Sequence, residues 1–156
     1  MSQAMPVPAV RMLQTYLAGK NPAGKVYYSG DVDGLRGPDT HQAVLRAVGD
    51  NPKMLDAVDR AGWASWSDKR LSVALYQHYS NWRAASDQKL TPAGQVDGYW
   101  GPQTDAAYLS QTGKLDQVFN QQAAGAAGDF QLNWANPHNF PRDDMADLTR
   151  YYGTAC

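Results

Sequence analysis

The first candidates for catalytic chemistry in this sequence are its acidic side chains, its histidines and its cysteine, and the chain contains no glutamate. All 15 acidic residues are aspartate. Enzymes that cleave glycan strands usually depend on a carboxylic acid with a raised pKa, most often a glutamate. The composition therefore disfavours glycan cleavage of that type.

The histidines and the cysteine also lack the spacing of a catalytic or metal site. His41, His78 and His138 are isolated, without the His-x-x-x-His or His-x-Asp spacing typical of zinc hydrolases. The single cysteine, Cys156, is the last residue, whereas a catalytic thiol needs a structured environment that activates it. We therefore expect no enzyme activity, no metal and no other cofactor.

One stretch of the sequence occurs twice. Residues 30–43 read GDVDGLRGPDTHQA and residues 94–107 read GQVDGYWGPQTDAA, at an offset of 64 residues. Both fit the pattern G-x-V-D-G-x-x-G-P-x-T-x-x-A, and chance agreement at so many positions is negligible. The sequence therefore indicates a duplicated unit.

Each copy predicts a tight loop that leads into a helix. Asp-Gly followed by another glycine three residues on is typical of turns, because glycine reaches positive φ without steric cost. In the Gly-Pro step, the proline suits the first helical position, where its missing N–H would be unpaired anyway. We expect Asp33 and Asp97 to accept hydrogen bonds from their own loops in preference to binding a ligand.

Helical spacing of apolar residues precedes each loop. Residues 10–17 place an apolar face before Gly19, which is a suitable helix end. Residues 71–82 do the same ahead of the second loop, with Ser67 as a good N-cap. The unit is thus predicted to begin with a helix in both copies.

Further helices are expected after each loop and at the C-terminus. The pattern predicts short helices at residues 52–58 and 115–119, an Ala/Gly hinge at residues 125–128, and an extended segment at residues 129–140. A last helix is expected to begin at Pro141. Strand signals are nearly absent. The predicted fold class is therefore all-α, with two packed three-helix units and a C-terminal helical arm.

The repeated pattern resembles the peptidoglycan-binding domain found beside many bacterial and phage cell-wall hydrolases. That family is a small three-helix fold with a leading Leu-Gln helix followed by D-G-x-x-G-x-x-T-x-x-A. Residues 12–17 and 32–43 match it in the first copy, and residues 96–107 match it in the second. The leading helix of the second copy, residues 75–82, matches loosely. Neither copy has the aromatic-Gln pair that is usual at the end of the family's second helix.

The resemblance implies three parts along the chain. The first peptidoglycan-binding-like unit would span residues 1–62 and the second residues 63–124, followed by a hinge and C-terminal helical arm at residues 125–156. Part of the arm, residues 139–153, is similar to a segment of phage wall hydrolases and tail proteins, which favours a phage origin.

The resemblance also implies a non-catalytic protein that binds the glycan or the stem peptide of peptidoglycan in a groove beside the loops. The residues expected to line that site are Leu35, Arg36, Thr40, His41, Tyr99, Trp100, Thr104 and Asp105. Residues 35–36 and 99–100 stand at the loop tips, where they can either contact a ligand or pack into the core. The aromatic pair makes the second copy the stronger candidate. The other tryptophans are expected to anchor the core between the copies: Trp63, Trp66, Trp82 and Trp134.

Composition and charge disfavour other partners. The net charge is -1 and no basic stripe is visible, so we expect no nucleic-acid partner. No apolar run is long enough to span a bilayer, and residues 1–10 lack the pattern of a secretory signal. We expect a chain made in the cytoplasm that acts at the bacterial cell wall or in a phage particle.

Two alternative functions fit the same sequence. The chain could be a structural or docking protein of a virion that reuses the fold to bind protein, with the Ala/Gly hinge and the aromatic arm after Gly128 as the contact element. It could also be a fragment of a cell-wall hydrolase whose catalytic domain lies beyond Cys156.

Overall fold

The computed structural model describes residues 3–112, and this part of the chain is helical. Its α-helices are α1 (Val7–Leu17), α2 (Pro38–Asp50), α3 (Asp68–Ser86) and α4 (Pro102–Thr112). Short 3-10 helices lie between α2 and α3, at Pro52–Met54 and Trp63–Ser65. Residues 3–112 contain no β-strand, which confirms the all-α class for this part of the chain.

The helices begin where the local sequence predicts. Pro38 is the first residue of α2, and Asp39 places a carboxylate near the positive end of the helix dipole. At the start of α3, the Ser67 hydroxyl accepts a hydrogen bond from the backbone N–H of Arg70 at 3.1 Å. The predicted N-cap is thereby confirmed.

The short helix predicted at residues 52–58 is much shorter in the structure. Only Pro52–Met54 is helical, and Leu55 is already extended, with φ -75° and ψ 148°. The next residue, Asp56, donates its backbone N–H to the carbonyl oxygen of Val96 at 2.9 Å. The helix ends early because this backbone bonds to the second loop and because the Leu55 side chain is buried.

Helix α3 is the central element of the described chain. It packs against α1, α2 and α4, and residues 71–77 are buried in succession, so the helix is enclosed on all sides. Burial raises the pKa of the Tyr76 phenol well above its usual value, because the charged form loses its hydration. A single apolar cluster joins Leu13 of α1, Val44 of α2 and Tyr108 of α4. The core thus runs through both predicted units, and their boundary at residue 62 stays a prediction.

The remaining predicted elements lie outside the described residues. These are the helix at residues 115–119, the hinge and the C-terminal arm. Within residues 3–112, no helix is both long and apolar enough to cross a bilayer.

Two glycines allow the loops to lie directly on the helices that precede them. Gly34 has φ +82°, and a Cβ atom there would lie 2.4 Å from Cγ1 of Val7 in α1. Gly98 has φ +83°, and a Cβ atom there would lie 2.7 Å from the carbonyl oxygen of Arg70 in α3. Each loop therefore requires glycine for its backbone conformation and for its close approach to a helix.

We predict that Gly98→Ala destabilises the protein by about 2–4 kcal/mol, since a positive φ costs about 1–2 kcal/mol and a packing clash adds a similar amount. Gly24→Ala is the matched control, because Gly24 also has a positive φ, +64°, but has no atom within 4 Å of its added Cβ. Urea unfolding of the full chain measures both. Equal losses in the two variants would contradict the close packing of the second loop on α3.

Candidate functional site

The first loop is held by one buried side-chain amide, that of Gln14 in α1. Its Nε2 donates to Oδ1 of Asp33 at 3.1 Å, to the carbonyl oxygen of Leu35 at 3.0 Å and to Oγ1 of Thr40 at 3.1 Å. Its Oε1 accepts the backbone N–H of Gly34 at 2.9 Å. One amide therefore forms hydrogen bonds with polar groups of the loop and with the threonine in the first turn of α2.

The second loop is held in the same way by Gln77 of α3, which is also buried. Its Nε2 donates to Oδ1 of Asp97 at 3.2 Å, to the carbonyl oxygen of Tyr99 at 3.0 Å and to Oγ1 of Thr104 at 2.9 Å. Its Oε1 accepts the backbone N–H of Gly98 at 2.9 Å. The two networks have the same four hydrogen bonds.

Both loop aspartates bond to their own loops, as predicted. Asp33 Oδ1 accepts the N–H of Leu35 at 3.0 Å, and Asp97 Oδ1 accepts the N–H of Tyr99 at 3.0 Å. The hydrogen bond from Leu35, together with that from Gln14, holds the pKa of Asp33 below its ordinary value. A carboxyl group that is easier to ionise is poorly suited to act as a general acid near neutral pH.

Half of the eight residues predicted to line the ligand site are buried in structural contacts: Arg36, Thr40, Trp100 and Thr104. Arg36 Nη1 donates to Oγ of Ser72 at 2.7 Å and thereby joins the first loop to α3. The two threonines accept from the glutamines described above. These four side chains hold the loops against the helices.

Trp100 is the clearest case of core packing among the predicted residues. It is 6% exposed, and its indole lies on the Tyr76 ring with centroids 5.2 Å apart and planes 17° apart. Its Nε1 donates to Oδ1 of Asp105 at 2.7 Å. Of the two roles left open for the loop-tip aromatics, this geometry favours packing for Trp100.

The remaining predicted residues are more accessible. Leu35 is 41% exposed, and His41, Tyr99 and Asp105 are half-buried. Tyr99 is part of a surface stack in which the Arg70 guanidinium lies between two rings. The guanidinium carbon is 3.5 Å from the Trp66 centroid and 4.4 Å from the Tyr99 centroid.

A groove between α1 and the C-terminal half of α3 is a site that the sequence did not predict. Its volume is about 640 Å³, within the range usual for small-ligand sites. Residues of both helices and of the turn after α1 line it: Arg11, Met12, Thr15, Tyr16, Lys20, Tyr79, Trp82, Arg83, Ser86 and Asp87. None of the eight predicted site residues is among them.

Aromatic rings form the wall of this groove. The Tyr16 ring meets Tyr79 and Trp82 edge to face, each at a centroid distance of 5.7 Å. Tyr16 is 5% exposed and Tyr79 is 8% exposed, whereas Trp82 is 38% exposed. Burial raises the pKa of Tyr16 and lowers that of His78, whose ring also contacts Tyr16 edge to face. Trp82 is thus the accessible ring of this aromatic cluster, whereas the two tyrosine rings are buried.

Of the four tryptophans predicted to anchor the core, Trp82 packs on the rings of Tyr16 and Tyr79 but is 38% exposed. Trp63 and Trp66 are half-buried and pack against the core cluster, and Trp134 lies outside the described residues. Helical spacing placed Trp82 on the apolar face of α3. The end of α1 before Gly19 was predicted, but the extension of α3 to Ser86 was not, and the Trp82 indole is partly uncovered.

Charge in the groove is mainly positive. Arg11, Lys20 and Arg83 line it with a single carboxylate, Asp87. Arg83 Nη1 donates to the Tyr79 hydroxyl at 3.1 Å, which orients the guanidinium along the aromatic wall. The groove therefore offers a ring surface with cationic groups beside it.

Within residues 3–112, no group of three or more histidine, cysteine or acidic side chains is placed to hold a metal ion. The comparisons with known proteins also leave the site unassigned: no family model, no curated protein and no solved structure matches this chain.

We predict that Gln77→Glu destabilises the protein by about 2 kcal/mol or more at pH 7. An ionised carboxylate cannot donate to Asp97, Tyr99 and Thr104, and it repels the Asp97 carboxylate. These neighbours raise the pKa of the introduced group in the folded state. The loss of unfolding free energy relative to wild type is therefore smallest below about pH 4.3, the pKa of the introduced carboxyl in the unfolded chain. The loss grows as the pH rises through the higher pKa of that carboxyl in the folded protein.

Unfolding free energies of variant and wild type at pH 4 and pH 7 measure this effect. Gln42→Glu, at an exposed position of α2, is the control. A Gln77→Glu penalty that does not change between the two pH values would argue against the donor role of the amide.

Proposed function

We propose that this chain is a non-catalytic peptidoglycan-binding protein, associated with phage lysis or a phage tail. The observation that carries the proposal is the aromatic and cationic groove between α1 and α3. The loop sequences carry the resemblance to wall-binding domains, and the groove supplies a surface on which such a ligand can bind.

The exposed Trp82 indole suits a sugar ring. The apolar face of a pyranose packs on an aromatic ring, and the hydroxyl groups at its edge need polar partners. The groove offers such partners in Thr15, Arg83, Ser86 and Asp87. A glycan strand lying along the groove would therefore have a stacking surface with hydrogen-bonding groups on both sides.

The glutamines that hold the two loops lie on the same helices as the tyrosines of the groove wall. Gln14 lies two residues before Tyr16 in α1, and Gln77 lies two residues before Tyr79 in α3. Because each glutamine is fixed by four hydrogen bonds, the helical turn that carries each tyrosine is fixed as well. The D-G-x-x-G loops form the scaffold, and their accessible residues, such as Leu35 and Tyr99, lie outside the groove lining.

We predict that the purified protein co-sediments with insoluble sacculi, and that Trp82→Ala weakens this binding by about tenfold or more, as expected when an aromatic platform is removed. Tyr99→Ala tests the loop-tip site of the second copy, and Val58→Ala, at a position that is 84% exposed and outside the groove, is the control. Trp100→Ala would be uninformative because that indole is in the core.

The three variants distinguish the possible outcomes. If Trp82→Ala alone weakens binding to sacculi, the binding site is the groove. If Tyr99→Ala alone weakens it, the binding site is the second loop, and the proposed groove site is overturned. Failure of the folded wild-type protein to sediment with sacculi would contradict wall binding and favour the alternative of a virion docking protein.

A further inference from the structure

We propose that the groove between α1 and α3 recognises the carboxylate groups of peptidoglycan stem peptides, and so distinguishes peptidoglycan from neutral glycans. This inference rests on the proposed wall-binding function. It adds the chemical class of the group that is bound and the side chains that bind it.

The charge of the groove differs from that of the whole chain. The protein has a net charge of -1, whereas the groove lining has three cations and one carboxylate, a formal sum of +2. Basic side chains concentrated in one concave surface raise the local concentration of anionic ligands. The excess therefore favours an anionic ligand over a neutral one.

The cations of the groove are not used in ion pairs within the described chain. Within residues 3–112, an ion pair joins Lys25 to Asp50 at 2.8 Å, and neither residue lines the groove. Asp87, the one carboxylate of the lining, accepts the backbone N–H of Lys89 at 3.0 Å. Arg11 is close enough to Asp33 to help lower the pKa of that carboxyl, without an ion-pair contact.

Arg83 is the best placed of these cations to bind a carboxylate. One of its terminal nitrogens donates to the Tyr79 hydroxyl, and its guanidinium carbon lies 5.8 Å from the Tyr79 centroid. This contact restrains a side chain that would otherwise lose much rotamer freedom on binding. The other N–H groups of a guanidinium can form a bidentate pair with a carboxylate. Trp82 and Arg83 both line the groove, so a single ligand can reach both the ring and the charge.

Two other classes of ligand match the aromatic and cationic groups of the groove less well. A neutral polysaccharide such as chitin can stack on Trp82 but offers no negative charge to Arg11, Lys20 or Arg83. A simple inorganic anion would use the cations and leave the indole unused. Peptidoglycan has both parts in one polymer, since its amino sugars carry peptides with free carboxylates. That match between ligand and lining is the basis of the proposal.

The test uses the full chain and sacculi stripped of protein and teichoic acid, so that phosphate groups cannot contribute. One sample is amidated with a carbodiimide and ammonium chloride, which converts carboxylates to neutral amides and leaves the glycan intact. A mock-treated sample without carbodiimide and a chitin sample are the controls. Dissociation constants come from co-sedimentation at 0.05 M and 0.5 M NaCl, since salt screens exposed charges.

We expect amidation to weaken binding about tenfold, and Arg83→Gln to weaken binding to untreated sacculi by about fivefold, as for a partly exposed charge-assisted pair. Lys53→Gln is the matched control, because it removes the same charge from an exposed side chain outside the groove. Arg83→Gln should have little further effect on binding to amidated sacculi.

Two results would overturn the inference in distinguishable ways. Equal binding to amidated and mock-treated sacculi, still lost in Trp82→Ala, would leave wall binding standing and show that the glycan alone is recognised. Equal weakening by Arg83→Gln and Lys53→Gln would indicate a general charge effect in place of a carboxylate site. If no form of sacculus is bound, the proposed function itself fails.

Discussion

The fold of the described residues depends on two buried glutamine side-chain amides, each of which holds one loop. A glutamine amide has two donor hydrogens and an acceptor oxygen, and a buried amide without partners would cost about 1–3 kcal/mol. Gln14 and Gln77 avoid that cost by bonding to a loop backbone, a loop aspartate and the threonine of the following helix. The glutamine, the Asp-Gly step and the threonine are therefore one structural unit, although they are distant in the sequence.

Within residues 3–112, this use of the loop residues leaves several of them with little capacity to bind a ligand. Asp33 and Thr40 of the first loop, and Asp97 and Thr104 of the second, accept hydrogen bonds from the buried glutamines. Arg36 and Trp100 join the loops to α3. Side chains that hold a fold together have little hydrogen-bonding capacity left for a ligand. The surface that does have such capacity is on the outer side of the same helices, where Trp82 and Arg83 project from the last turns of α3.

Much of the fold could be predicted from sequence because its determinants are local. The Gly-Pro step fixes the start of α2, and Ser67 fixes the start of α3. Both signals act within a few residues. The length of the 3-10 helix at Pro52–Met54 was not predictable in this way, because a hydrogen bond from Asp56 to Val96 ends it. The groove was missed for a similar reason. Its lining comes from two helices far apart in sequence, and helical periodicity does not show which helices pack side by side.

The position of the groove follows from a difference between two otherwise similar helices. Tyr16 and Tyr79 hold the same place relative to their glutamines, and their rings contact each other, so similar faces of α1 and α3 meet. Three residues further on, the first helix has already ended at Gly19, with φ +128°, whereas the corresponding residue of α3 is Trp82. If both loops descend from one duplicated unit, as the sequence predicts, the groove lies where the two predicted units differ, because α1 is shorter than α3. The groove is lined from both helices, so a binding function located there would depend on both predicted units.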